Sequence, residues 1–139
     1  MTISTVDVIN SALREINVIS EQDTADANQG AYALSRLNQM MSVWKEDSID
    51  VGYFSLANTS GDCPIPEYAE LAVILGLAIA CASKFGATIS QELASVASSS
   101  VSSLRRKLIS EGLDNADMTF LPRGAGHFGN SYDIENDTF

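Results

Sequence analysis

The strongest constraint on the fold is an unbroken apolar run, Leu71 to Ala82, of twelve residues. A transmembrane helix needs about 20 apolar residues, so this run is too short to cross a bilayer. It fits a helix that is apolar nearly all round, and its small residues let neighbouring backbones approach closely. We therefore predict a central buried helix from Glu67 to about Phe85. Pro66 suits its first turn and Gly86 its end.

Two amphipathic patterns come before this run. The first predicts a helix over about residues 5–17, with Ser4 or Thr5 as N-cap and Asn17 as a left-handed stop. The second predicts a helix over about residues 25–47, capped by acidic and hydroxyl side chains. Its apolar stripe consists of Ala33, Leu34, Leu37, Met41 and Trp44.

A long connection, residues 48–66, separates the second and third predicted helices and has no helical period. Its adjacent aromatic residues, Tyr53 and Phe54, either tuck into the core or face a partner. From the sequence alone, both outcomes stay open.

A fourth helix is predicted after Thr88 or Ser90, and Gly112 is expected to end it. Its stripe is Leu93, Val96 or Ala97, Val101, Leu104 and Leu108. The basic triplet Arg105, Arg106 and Lys107 either complements the dipole of this helix or contacts phosphates or an acidic partner.

The helical period is lost after Gly112, and glycines and a proline become frequent. We therefore predict an all-α bundle of about four helices over residues 1–112, followed by an extended C-terminal arm over residues 113–139. The arm carries spaced apolar side chains, which indicate that it lies on another surface.

Composition and charge exclude several functions. Eighteen acidic and eight basic residues give a net charge of −10, which argues against general binding to nucleic acids or anionic lipids. The N-terminus has no basic segment typical of a signal peptide, so synthesis in the cytoplasm and no membrane association are expected. Two cysteines and one histidine give no metal cluster or disulfide scaffold.

No residue is predicted to be catalytic, and no cofactor or metal is expected. His127, the only histidine, lies among glycines, which do not hold a general base rigidly. A carboxylate pair like that of a glycosidase is the rival hypothesis, because acids surround the long connection. The candidate acids are Glu46, Asp47, Asp50 and Asp62.

Three segments carry degenerate helix and loop patterns: Val6-x-x-Ile9-Asn10-x-Ala12-Leu13-Arg14-x-Ile16-x-Val18-Ile19, Leu37-Asn38-x-Met40-Met41-x-x-Trp44 and Gly52-Tyr53-Phe54. Together they resemble the head-to-tail adaptors of tailed bacteriophages, which include packaged-DNA-stabilisation and tail accessory proteins. The likeness is closest to those of short-tailed phages. Asn17 stands where such proteins often carry glycine, and asparagine also tolerates the left-handed conformation.

The resemblance implies a virion structural protein of the head–tail neck, not an enzyme. Such a protein forms a dodecameric ring under the portal protein, closes the DNA-filled head and docks a tail or nozzle protein. It is either monomeric or oligomeric when free, and DNA passes through the ring without specific binding. By the same resemblance, the arm residues at the interface are Phe120, Leu121, Arg123, Phe128, Tyr132 and Ile134.

Acidic residues suit a channel that lets DNA slide, because negative charge repels the phosphate backbone. The candidates for this lining are Asp47, Asp50 and Asp62, and the candidate loop contacts are Tyr53 and Phe54. Two alternatives stay open: a peptidoglycan-degrading, muramidase-like virion protein and a small helical binding module.

Overall fold

A computed structural model describes residues 2–114. Within this range the chain folds into four α-helices: α1 (Thr5–Glu15), α2 (Ala27–Glu46), α3 (Glu70–Ala82) and α4 (Gln91–Asp114). A short 3-10 turn, Glu67–Ala69, leads directly into α3. The predicted all-α bundle with a long connection between its second and third helices is confirmed. The predicted arm lies beyond the described residues, so the division into two regions stays a prediction.

Helix α3 is the centre of the bundle, as predicted from its apolar sequence. It packs against α1, α2 and α4. Val73, Leu77 and Ala78 are each fully buried. Among the helices of residues 2–114, none is both long and apolar enough to cross a membrane.

A glycine lets α2 approach α3 closely. A Cβ atom on Gly76 would lie 3.0 Å from Sδ of Met40 and 3.3 Å from Cζ2 of Trp44. These contacts are tighter than ordinary van der Waals packing. The predicted stripe of α2 is confirmed, since its five members are all buried against the core.

Local signals set the helix ends as the sequence indicated. The Ser4 hydroxyl accepts a hydrogen bond from the Asp7 amide at 3.1 Å and caps α1. Asn17, with a φ of 58°, takes the predicted left-handed conformation after this helix. Helix α2 begins with a capping box in which Asp26 and Gln29 bind each other's backbone amides.

Helix α4 begins after Ser90, whose hydroxyl accepts a hydrogen bond from the Leu93 amide at 3.1 Å. Ala97 is buried on its inner stripe, whereas Val96 is half exposed. The prediction that Gly112 ends this helix is wrong, because the helix continues to Asp114. Glycine permits the left-handed conformation that ends a helix but does not impose it.

The greater length of α4 also argues against the predicted interaction of the basic triplet with the helix dipole. Arg105 to Lys107 lie about two turns before the end of α4, and its last turn has no basic residue. The interaction with a helix dipole falls off within the last turn. Lys107 forms an ion pair with Glu111 at 3.1 Å instead.

Truncation of a buried leucine in α3 should destabilise the bundle strongly. Leu77→Ala removes a fully buried side chain and leaves a cavity, so we expect a loss of about 2–5 kcal/mol in the free energy of unfolding. Leu71→Ala, in the same helix but at a side chain that is 56% exposed, is the matched control. Its expected effect is within about 0.5–1 kcal/mol. Urea unfolding followed by circular dichroism checks both, and equal losses would contradict a central position for α3.

Candidate interaction surfaces

One asparagine side chain fastens the long connection to the bundle. Oδ1 of Asn38, on α2, accepts hydrogen bonds from the Tyr53 hydroxyl at 2.6 Å and the Leu56 amide at 3.0 Å. Its Nδ2 donates to the Leu56 carbonyl oxygen at 3.0 Å. Because one amide satisfies three groups of the connection, it fixes the path of the chain on both sides of Phe54.

This clamp separates the two aromatic residues that the sequence left undecided. Tyr53 is partly buried and packs against the core, with its hydroxyl on Asn38. Phe54 is 64% exposed. Gly52 precedes them with a φ of 84°, a left-handed conformation that favours glycine. Tyr53 therefore anchors the connection, and Phe54 is presented on the surface.

A second asparagine fastens the connection between α1 and α2. Asn10 is buried among apolar residues of α1, and its Oδ1 accepts a hydrogen bond from the Ala25 amide at 2.9 Å. Sequence reasoning missed the roles of Asn10 and Asn38. Both stand beside an apolar stripe of a helix, next to Ile9 and Leu37, and a polar side chain there needs a hydrogen-bond partner.

The three acids predicted to line a channel are all exposed, and each takes part in a backbone or side-chain contact within the chain. Asp47 is the C-cap residue of α2. Asp50 Oδ1 accepts a hydrogen bond from the Gly52 amide at 3.0 Å. Asp62 Oδ2 accepts one from the Thr2 hydroxyl at 3.1 Å. Their exposure leaves them available to a partner or to a channel.

The same exposure weakens the glycosidase hypothesis. Glu46 is exposed like the other three candidate acids. A general acid in such an enzyme is held in an apolar pocket that favours its protonated form. None of these four positions offers such a pocket.

Both cysteines are buried and form no disulfide. Burial raises the pKa of the Cys63 thiol to about 11 and that of the Cys81 thiol to about 11. Cys63 lies in the long connection, where its amide donates a hydrogen bond to the Ile3 carbonyl oxygen at 2.8 Å. A nucleophilic cysteine needs a thiolate, so both side chains suit packing better than catalysis. Over residues 2–114, the acidic, cysteine and histidine side chains form no group of three suited to a metal ion.

The predicted arm contacts lie outside the described residues. They are Phe120, Leu121, Arg123, Phe128, Tyr132 and Ile134. Their roles therefore stay predictions.

The sequence model of the P22 tail accessory factor family matches residues 1–138, almost the entire chain. The chain belongs to this family. It is therefore a structural protein of a bacteriophage, associated with the tail of the virion. No individually curated protein matches the chain.

The Asn38 clamp should contribute measurably to stability. Asn38→Ala leaves two backbone groups of Leu56 without partners, so we expect a loss of about 1–3 kcal/mol and faster hydrogen exchange of the Leu56 amide. Asn28→Ala, at an exposed position in the first turn of the same helix, is the control. Urea unfolding and amide exchange measured by NMR check both variants. An unchanged Leu56 exchange rate in Asn38→Ala would show that the clamp does not hold the connection.

The raised thiol pKa values predict a loss of stability at alkaline pH. Thiols of the unfolded chain ionise near pH 8.5, whereas the folded thiols stay protonated until about pH 11. The free energy of unfolding should therefore be unaffected by these groups below about pH 8 and fall as the pH rises toward about 11. Replacing Cys63 and Cys81 together by alanine should reduce this slope. Urea unfolding midpoints of the parent chain and of the double variant, measured from pH 7 to 11, check this prediction. If the midpoints of both fell in parallel with pH, the buried thiols would not cause the loss of stability.

Proposed function

We propose that this protein is a head-to-tail adaptor. It assembles as a dodecameric ring under the portal protein, closes the DNA-filled head and docks a tail or nozzle protein. The observation that carries the proposal is the family match over residues 1–138. The function is assembly and not turnover, and its site is the head–tail neck of the virion.

The long connection supplies one contact surface of the proposed ring. Phe54 is a large apolar side chain on the surface, and it follows directly after the anchored Tyr53. An aromatic side chain is a common interface anchor, and a backbone that is already held on both sides of it loses little conformational entropy on binding. We assign Phe54 to a contact with the portal or with a neighbouring subunit.

The arm supplies the second proposed surface. Its apolar residues are spaced along a segment that is rich in glycine after Pro122. Binding such a segment along a partner offsets its ordering entropy by burying aromatic side chains. We assign Phe120, Leu121, Arg123, Phe128, Tyr132 and Ile134 to this contact.

The exposed acids are proposed to face the DNA channel. Asp47, Asp50 and Asp62 are free of cationic partners among the described side chains. Negative charge on a ring bore repels DNA phosphates and favours sliding over binding. A ring structure with a basic bore would refute this assignment.

Native mass spectrometry of the full chain, alone and with its cognate portal ring, tests the proposal. We expect a defined high-order complex with the portal. Phe54→Ala and the pair Phe120→Ala with Phe128→Ala should each raise the Kd about tenfold or more, as loss of an aromatic anchor costs at least about 1.4 kcal/mol.

Val43→Ala is the matched control, because Val43 is an exposed apolar side chain on α2 outside the proposed contacts. Its Kd for the portal should stay within a factor of two to three of the parent, as expected for a surface substitution of about 0.5 kcal/mol. A chain that stays monomeric and does not bind the portal would refute the adaptor.

A further inference from the structure

An open apolar groove runs along α3. Helices α2 and α4 both pack against α3 and leave part of it between them uncovered. We call this surface the central groove, and it has a volume of about 510 Å³. Its floor includes Ile79 and Ala80, and its walls include Met40, Trp44, Val101 and Arg105.

Both flanking helices run antiparallel to α3, and the lining of the groove extends from Ala94 to Arg105 on α4 but only from Gly76 to Ala80 on α3. On one side, Tyr32 contacts Phe85 with ring centroids 5.6 Å apart, while Trp44 packs at Gly76. On the other side, Nζ of Lys107 lies 4.7 Å from the centre of the Tyr68 ring, just before α3. The stretch of α4 that lines the groove is roughly 17 Å long, which accommodates an extended peptide of about five residues.

Cations without carboxylate partners border this apolar surface. Arg105 is the charged side chain on the lining, and no described carboxylate pairs with it. Arg36 lies one turn before Met40, and Lys84 lies four residues after Ala80. The charged groups of Arg36 and Lys84 both lie over the ring of Tyr32, at 5.4 Å and 5.6 Å from its centre. The groove therefore has an apolar floor and one cation, Arg105, on its lining, and two further cations, Arg36 and Lys84, lie beyond its Ala80 end. This local positive charge stands out in a chain with a net charge of −10.

Residues 115–139 have the complementary composition. They contain four acidic residues and one basic residue, Arg123. The acidic residues are Asp117, Asp133, Glu135 and Asp137, and the aromatic residues are Phe120, Phe128, Tyr132 and Phe139. An acidic segment with aromatic side chains matches an apolar groove with nearby cations in both charge and polarity.

Residues 115–139 are also long enough to reach the central groove, and they are joined to the chain close to it. Asp114, the last residue of α4, is about 14 Å along the helix from Arg105. A segment of this length spans up to about 80 Å when extended, so it can turn back along the groove. A short tether gives an effective concentration of about 1 mM, which favours the same chain over a second copy in dilute solution.

We propose that residues 115–139 dock into the central groove of their own chain in the free protein. The aromatic side chains lie on the floor formed by α3, and the acidic groups face Arg105, Arg36 and Lys84. This inference goes beyond the adaptor role, since it concerns the free protein and does not require a portal. If both hold, assembly exchanges the contact within the chain for a contact with the partner.

Disulfide trapping in the full chain tests the docking. A cysteine is introduced at Ser102, which lines the groove, together with one at Thr119, Ser131 or Thr138 in turn. Ser99 is the matched control, because it is exposed on the same helix but lines the other side of α4, near Tyr68. The buried native thiols should not compete at pH 7.5.

We expect at least one Ser102→Cys pair to form an intramolecular disulfide at least tenfold faster than its Ser99→Cys counterpart, measured by mass spectrometry under mild oxidation. Arg105→Glu should slow that reaction about tenfold, whereas Arg106→Glu should not, since Arg106 contacts Ser103 at 3.2 Å and lies off the lining.

Three results would overturn the proposal. One is an equal or faster reaction of Ser99→Cys at all three arm positions. Another is trapping found only between two copies, which would assign the groove to a second chain. The third is a trapping rate that Arg105→Glu leaves unchanged. Failure of portal binding does not bear on these results, so the two proposals fail separately.

Discussion

Helix α3 has apolar side chains on every side, and water must be excluded from most of that surface. A bundle meets this requirement by placing helices around it, and α1, α2 and α4 each contribute one wall. The free energy gained from burying apolar surface is the dominant favourable term in folding. The positions of the other helices therefore follow from the need to cover α3. The stripe that contains Ile79 and Ala80 is one part of α3 that they leave incompletely covered.

Two asparagine side chains bind the connections between the helices to the bundle. A polar group beside a core must be paired, so Asn10 and Asn38 each bind a backbone segment that has no helical bonds of its own. The consequence at Asn38 is that two adjacent aromatic residues have opposite environments. Asn38 holds Tyr53 inward, and the next residue, Phe54, is left on the surface.

The charge distribution fits a protein that assembles with others. The chain as a whole is strongly acidic, but Arg105 lies on the lining of one apolar groove, and Arg36 and Lys84 lie over the Tyr32 ring beyond one end of it. An acidic chain repels further acidic chains and DNA at long range, whereas a local cationic edge attracts acidic segments at short range. For a phage tail accessory factor, both properties restrict which surfaces come into contact.

The amino-acid sequence was sufficient to predict the helices, their caps and their buried stripes, because these depend on the periodicity of side chains and on hydrogen bonds between near neighbours. It also determined the central position of α3, since no other segment is apolar on all sides. Tertiary packing selected Ala97 over Val96 for the buried stripe and gave Tyr53 and Phe54 opposite environments. These outcomes depend on which distant residues meet. The Asn38 contacts span 15 and 18 positions of the chain, and no local pattern specifies a pairing at that separation.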